Sequence, residues 1–83
     1  MVRYEVTLPD LGAEAGDEAQ VSFWYFDPGE EVTKDEDLVE MITDKATFNV
    51  PSPVSGKIVE LLADEGEVVK VGKGICLVET NDD

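Results

Sequence analysis

Apolar and polar residues alternate along most of this chain, and they do not recur at the three-and-four spacing of an amphipathic helix. Runs rich in Val, Ile, Thr and aromatic residues are bounded by Gly, Pro, Asn or Asp. The pattern predicts strands over 3–8, 18–26, 31–33, 38–43, 46–50, 56–62, 68–70 and 74–79. Short strands this closely spaced point to an all-β sandwich or flattened barrel. Val59 and Leu61, or Trp24 and Phe26, are the expected inward positions. The run Phe23-Trp24-Tyr25-Phe26 is too apolar for strict alternation and leaves open which of its members face out.

The pattern occurs twice. Val21 to Val32 overlays Ile58 to Val69 at a constant offset of 37, with the turns Asp27-Pro28-Gly29-Glu30 and Asp64-Glu65-Gly66-Glu67 in register. A weaker match sets Val6-Thr7-Leu8-Pro9 against Phe48-Asn49-Val50-Pro51 at an offset of 42. The difference, 42 − 37, gives the segment from Asp10 to Asp17 five residues more than its counterpart. Folding alone supplies no reason for them.

Within the first copy, a hairpin centred on Asp44 and Lys45 pairs Thr43 with Ala46, Ile42 with Thr47, Met41 with Phe48, Glu40 with Asn49 and Val39 with Val50. This register puts Val39, Met41, Phe48 and Val50 on one face and Glu40, Thr47 and Asn49 on the other, with only Ile42 misplaced. A slip of one residue would bring polar groups onto the core face. Two-residue hairpin loops favour Asn-Gly or Gly-X because their turns need positive φ, and Asp-Lys does not supply that freedom. A local rule broken at one place points to function there. At the 37-residue offset, Asp44 and Lys45 correspond to Asn81 and Asp82, so the tip is expected opposite the chain ends.

Charge changes the picture by exclusion. Against 20 Asp and Glu there are 6 Lys and Arg, a formal charge of -14, which speaks against nucleic acid or an anionic membrane as partner and favours basic protein surfaces. Histidine is absent, and with it the commonest general base and zinc ligand, so catalysis by this chain alone is not expected. The acidic clusters Asp35-Glu36-Asp37 and Asp64-Glu65-Gly66-Glu67 lack the spacing of an EF-hand loop and read as solvated turns. Cys76, the one cysteine, lies in an apolar run and reads as a core residue. The 83 residues are read as one domain, 1–83, monomeric in isolation, in a reducing compartment: cytoplasmic, or the mitochondrial matrix in a eukaryote.

Thr43-Asp44-Lys45-Ala46-Thr47, with Gly29-Glu30-Glu31-Val32 and Leu38-Val39-Glu40-Met41 before it and Val50-Pro51-Ser52-Pro53-Val54-Ser55-Gly56 after it, resembles the lipoyl domain of the 2-oxo acid dehydrogenase complexes. Leu8-Pro9-Asp10-Leu11-Gly12 resembles that family's opening motif. The resemblance implies a flattened barrel of two four-stranded antiparallel sheets related by a pseudo-two-fold axis. It also implies a non-catalytic carrier, of a kind found within dihydrolipoyl acyltransferase chains, with lipoate joined by an amide to Lys45.

The implied partners are a lipoate-attaching enzyme, a thiamine-diphosphate decarboxylase that acylates the arm, an acyltransferase that passes the acyl group to coenzyme A, and a dihydrolipoyl dehydrogenase that reoxidises it. Recognition by the modifying and decarboxylating enzymes would fall on Asp44 and Ala46 beside the lysine, and on the segment Asp10, Leu11, Gly12, Ala13, Glu14, Ala15, Gly16 and Asp17. That segment departs from the family by lacking a Gly-Glu-Gly run. Modification would leave 5 cations against 20 acids, a formal charge of -15.

Three other readings compete. A biotinyl domain shares the fold and a turn lysine, but methionines normally flank that lysine, where this chain has Asp44 and Ala46. An acyl carrier protein is a helical bundle with an Asp-Ser-Leu motif, and neither feature is in the sequence. An unmodified barrel serving as an interaction module would make Lys45 an ordinary solvated turn residue, like Lys34, Lys57, Lys70 and Lys73.

Overall fold

The computed structural model describes residues 2–10 and 16–80, and all their regular structure is strand. The elements are β1 (Val2–Thr7), β2 (Glu18–Trp24), β3 (Glu31–Val32), β4 (Asp37–Ile42), β5 (Thr47–Pro51), β6 (Gly56–Leu61), β7 (Val68–Lys70) and β8 (Gly74–Thr80). They form two four-stranded antiparallel sheets, ordered β1-β8-β6-β3 and β5-β4-β2-β7. Exchanging β1 with β5, β2 with β6, β3 with β7 and β4 with β8 converts one order into the other, so the duplication is a pseudo-two-fold relation between sheets.

The turns repeat in atomic detail. Asp27 N–H donates to Glu30 Oε1 at 2.7 Å, and Asp64 N–H to Glu67 Oε1 at 2.9 Å. Gly29 and Gly66 take φ of 96° and 90°, a left-handed conformation open to glycine without penalty. Their amides donate to Ile58 and Val21 carbonyls respectively, each at 2.7 Å across to the other sheet. The repeated Asp-x-Gly-Glu is therefore a turn in which the glutamate reaches back to an otherwise unpaired amide and the glycine lets the chain cross between layers.

Two expectations need correction. Val6 faces Cys76, and Val50 faces Val39. Because Val39 and Cys76 are 37 apart, Val6 matches Val50 and Leu8 matches Ser52, an offset of 44 and not 42. The surplus in the loop after β1 is thus seven residues, 44 − 37, and not five. A two-residue slip keeps every side chain on its own face, so alternation could not detect it, and aligning Pro9 with Pro51 instead of Pro53 hid it.

The second correction concerns Val59. Bulges at Ser22 and Val59, 37 apart, interrupt β2 and β6, and each adds one residue and reverses the alternation beyond it. Ile58 is therefore the fully buried residue, Val59 is half-buried at the bulge, and Leu61 packs on the core as expected. The bulge at Ser22 likewise sorts the aromatic run: Trp24 and Phe26 pack inward, while Phe23 and Tyr25 face out and meet edge to face with centroids 4.8 Å apart. A second symmetric pair of bulges, at Leu38 and Ile75, turns two successive residues inward, so Leu38 with Val39, and Ile75 with Cys76, are all 0% exposed.

The core between the sheets is built from Leu38, Met41, Ile58, Ile75 and Val78 with smaller residues around them. Each buried aliphatic side chain of this size contributes about 1.5–3 kcal/mol. The half-buried Trp24 indole N–H donates to the Ala63 carbonyl at 2.9 Å and ties β2 to the loop that follows β6.

Cys76 is 0% exposed, and burial pushes its thiol pKa from 9.0 up to about 12. Since the folded pKa lies above the unfolded one, the thiol's contribution to stability is complete below pH 9 and declines from there towards pH 12, where the unfolded chain binds fewer protons. Urea unfolding midpoints of the parent are therefore expected to fall more steeply above pH 9 than those of Cys76→Ala. Parallel curves would show that the thiol does not contribute.

Candidate functional site

The hairpin forms in the register expected from its sequence. Val39 pairs with Val50, Glu40 with Asn49, Met41 with Phe48 and Ile42 with Thr47, and Thr43 N–H donates to the Ala46 carbonyl at 2.8 Å. Val39, Met41 and Val50 are buried and Phe48 packs against them, which pins β4 and β5 to the core and fixes where the chain must turn. Ile42, expected to be misplaced, is 37% exposed on the outer face.

Asp44, Lys45 and Ala46 occupy the tip and are all exposed. Among the described residues the only ion pair joins Arg3 to Glu79, so the Lys45 ammonium makes none. No non-glycine residue of the tip has positive φ, which excludes the type I′ and II′ turns usual in two-residue loops.

The Thr43 side chain takes up the difference. Its Oγ1 accepts from Lys45 N–H at 3.2 Å and from Ala46 N–H at 3.0 Å, and its hydroxyl proton is directed to the Ala46 carbonyl at 3.2 Å. One donor and two acceptor sites are the full capacity of a hydroxyl, so Thr43 is saturated by the turn it starts. Its role was missed in the sequence. The available signal was a threonine at the first position of a turn, where Ser and Thr hydroxyls bond nearby backbone amides.

The tip lies far from the paired ends of β1 and β8. Gln20 near the start of β2 sits beside Ile42, and the chain runs from there to Gly29, whose amide reaches Ile58. Ile58 pairs with Val78, two residues before Thr80, which faces Val2. Tip and paired ends therefore occupy opposite ends of a body 38 Å long. Asn81 and Asp82, the expected symmetry mates of the tip, lie outside the described residues.

Of the long segment after β1, Leu11, Gly12, Ala13, Glu14 and Ala15 also lie outside the described residues. Asp10 is exposed, as are Gly16 and Asp17. Gly16 and Asp17 join Glu18, Ile42, Thr43, Asp44 and Val68 around a groove of about 770 Å³ on the flank of the hairpin. The structure thus brings the end of the long segment beside Asp44, although 27 positions separate Asp17 from it.

An exposed primary amine that makes no ion pair among the described residues and sits on a hydrogen-bonded turn is suited to acylation by another protein, and a covalent group on Lys45 would project from the tip without displacing core. Among the described residues no cluster of potential metal ligands occurs, and Cys76 is enclosed.

Comparison with known proteins adds three findings. The biotin/lipoyl family model, described as "Biotin-requiring enzyme", matches residues 4–78. The chain is 48% identical over 75 residues to the dihydrolipoyllysine-residue succinyltransferase component of the 2-oxoglutarate dehydrogenase complex of Bartonella vinsonii subsp. berkhoffii, covering 90% of this chain and 18% of that protein. It is 41% identical over 76 residues to the lipoamide acyltransferase component of the branched-chain alpha-keto acid dehydrogenase complex of Bacillus subtilis (strain 168), covering 92% of this chain and 18% of that one. The chain therefore spans less than one fifth of the length of either relative. Among solved structures, the lipoyl domain of the 2-oxoglutarate dehydrogenase complex from Azotobacter vinelandii superposes with a TM-score of 0.73 at 27% identity, covering 94% of this chain and 98% of that one.

Proposed function

The chain belongs to the biotin/lipoyl family as a domain of lipoyl type, and from that premise we propose that Lys45 is its lipoyl attachment site. The observation that carries this reading is the placement of Lys45, an exposed amine at the tip of the hairpin with no ion pair among the described residues. The attached lipoate would supply a dithiolane that takes up acyl groups and reducing equivalents.

This chain's own residues present and carry. The buried Val39, Met41 and Val50 anchor the hairpin, Thr43 shapes its tip, and the 38 Å body sets the attachment point away from the paired ends of β1 and β8. Tethered within a longer chain at those ends, the domain would raise the effective concentration of a covalently held intermediate at each active site it visits. The unit proposed is residues 1–83 as one carrier domain, monomeric when isolated and working in the cytoplasm or mitochondrial matrix.

The partners proposed are a lipoate-attaching enzyme and the decarboxylase, acyltransferase and dihydrolipoyl dehydrogenase components of a 2-oxo acid dehydrogenase complex. Both relatives above are acyltransferase components of such complexes. Recognition is assigned to Asp44 and Ala46 and to the segment from Asp10 to Asp17. Its support is the groove that places Gly16 and Asp17 beside Thr43 and Asp44.

Biotin is the alternative that the family admits, and the methionine-free flanks Asp44 and Ala46 speak against it. Offered to a lipoate-attaching enzyme and to a biotin ligase in separate reactions, the protein is expected to gain one lipoyl group in the first and nothing in the second. Biotin attachment without lipoyl attachment would replace the reading. Absence of both in the folded protein would leave an unmodified interaction module.

A further inference from the structure

We infer that the Thr43 hydroxyl is the positioning group that makes Lys45 a substrate for the attaching enzyme, an inference that rests on the carrier reading of Lys45. Three observations converge on it. The tip lacks the positive φ angles that let a two-residue loop follow the twist of its strands, so its shape must be held by something else. The only side-chain hydrogen bonds within the turn all run through Thr43 Oγ1, and two of them restrain the amides of Lys45 and Ala46. All three are exposed and span three residues or fewer, so the hydroxyl acts on the tip and not on the core.

The pseudo-two-fold relation sharpens the assignment. The symmetry mate of Thr43 is Thr80, which is 4% exposed and donates to the Val2 carbonyl across the β1–β8 pair at 3.4 Å. Threonine at this position in one copy seals a strand end, and in the other it organises the tip that bears the lysine.

Attachment from an acyl adenylate joins Lys45 Nζ to the acyl carbon. The nucleotide leaves with the electron pair of the broken C–O bond, and the ammonium releases two protons to solvent as it becomes an amide. For this to happen, the amine must be delivered to a carbon inside another protein's site. Misplacement by about 1 Å can cost on the order of 100-fold in such a step. Because Lys45 N–H is restrained by Thr43, the direction in which the side chain leaves the backbone depends on that hydroxyl.

The test compares the parent with Thr43→Val, which keeps the β-branched shape and removes the hydroxyl, and with Thr43→Ser, which keeps the hydroxyl. Each is given lipoate, ATP and a lipoate-protein ligase, and kcat/KM for attachment is read by intact mass. Thr43→Ser is expected within about 2-fold of the parent and Thr43→Val roughly 10- to 100-fold below it. Amide exchange in Thr43→Val should accelerate at Lys45 and Ala46 while that of Met41 and Phe48 is unchanged.

A purely structural role would instead loosen the strands and leave attachment to the folded fraction untouched. Attachment to Thr43→Val at the parent rate, or to Thr43→Ser as slowly as to Thr43→Val, overturns the inference and leaves the carrier reading standing. A parent that accepts no lipoate overturns the carrier reading itself, and the role of Thr43 with it.

Discussion

Gly56→Ala is expected to lower the melting temperature by roughly 5–25 °C. Gly56 opens β6 and is paired with Val32 on β3. A Cβ added there would land on the backbone carbonyl oxygen of Glu79 and within 3.0 Å of Val78 Cγ1. Neither neighbour can yield cheaply, because Glu79 is held between β1 and β6 and Val78 is 0% exposed in the core. Overpacking of this kind costs about 1–3 kcal/mol, and each kcal/mol moves the midpoint of a domain this small by roughly 4–8 °C.

Gly74→Ala provides the contrast. Its added Cβ meets the carboxylate end of Glu5, an exposed and flexible side chain that can turn aside. Gly74 lies outside the left-handed region, and alanine removes about 0.5–1 kcal/mol of backbone entropy cost relative to glycine in a strand. Its midpoint is expected within about 5 °C of the parent's. Thermal unfolding followed through Trp24 would measure both variants, and equal midpoints would contradict this account of Gly56.

The same pair of glycines shows where sequence reasoning reached and where it stopped. Gly56 and Gly74 both read as residues at the start of strands, and only the approach of Glu79 to one of them separates the two. All eight strands were legible because each is a short run with apolar or β-branched residues that ends at a turn residue. The hairpin register was legible because a slip of one would have exposed Met41 and buried Asn49.

What escaped was parity. The bulges at Ser22, Leu38, Val59 and Ile75 leave no mark in composition, yet each changes which residues face inward. Val59 was consequently placed in the core ahead of Ile58. The two-residue error in matching β1 to β5 has the converse origin, since it leaves parity unchanged and a pattern of period 2 cannot see a shift of 2.

At the site, Lys45 was legible because Asp-Lys suits a two-residue turn poorly, and its neighbours Asp44 and Ala46 followed from the resemblance. The means by which that turn is held was not. A hydroxyl that satisfies two amides and one carbonyl depends on distances of about 3 Å that only the folded tip supplies. The proximity of Asp17 to Asp44 was likewise invisible, because it arises from the pairing of β2 with β4 and not from any local pattern.

Lys45→Arg is expected to abolish lipoyl attachment completely while leaving the fold intact. Arginine keeps the positive charge and a similar length, and its guanidinium stays protonated at all accessible pH and is not a nucleophile. The bonds that shape the tip use the Lys45 backbone amide and not its side chain, so stability should change by no more than about 0.5 kcal/mol, as for other exposed substitutions. Four further lysines, Lys34, Lys57, Lys70 and Lys73, remain in the variant as internal controls. All four are exposed.

The central claim, that the hairpin presents Lys45 for its amine, is tested most directly by intact mass after reaction with lipoate, ATP and a lipoate-protein ligase. The parent should gain the mass of one lipoyl amide and Lys45→Arg should gain none. An equal gain on Lys45→Arg, or none on the folded parent, would contradict it.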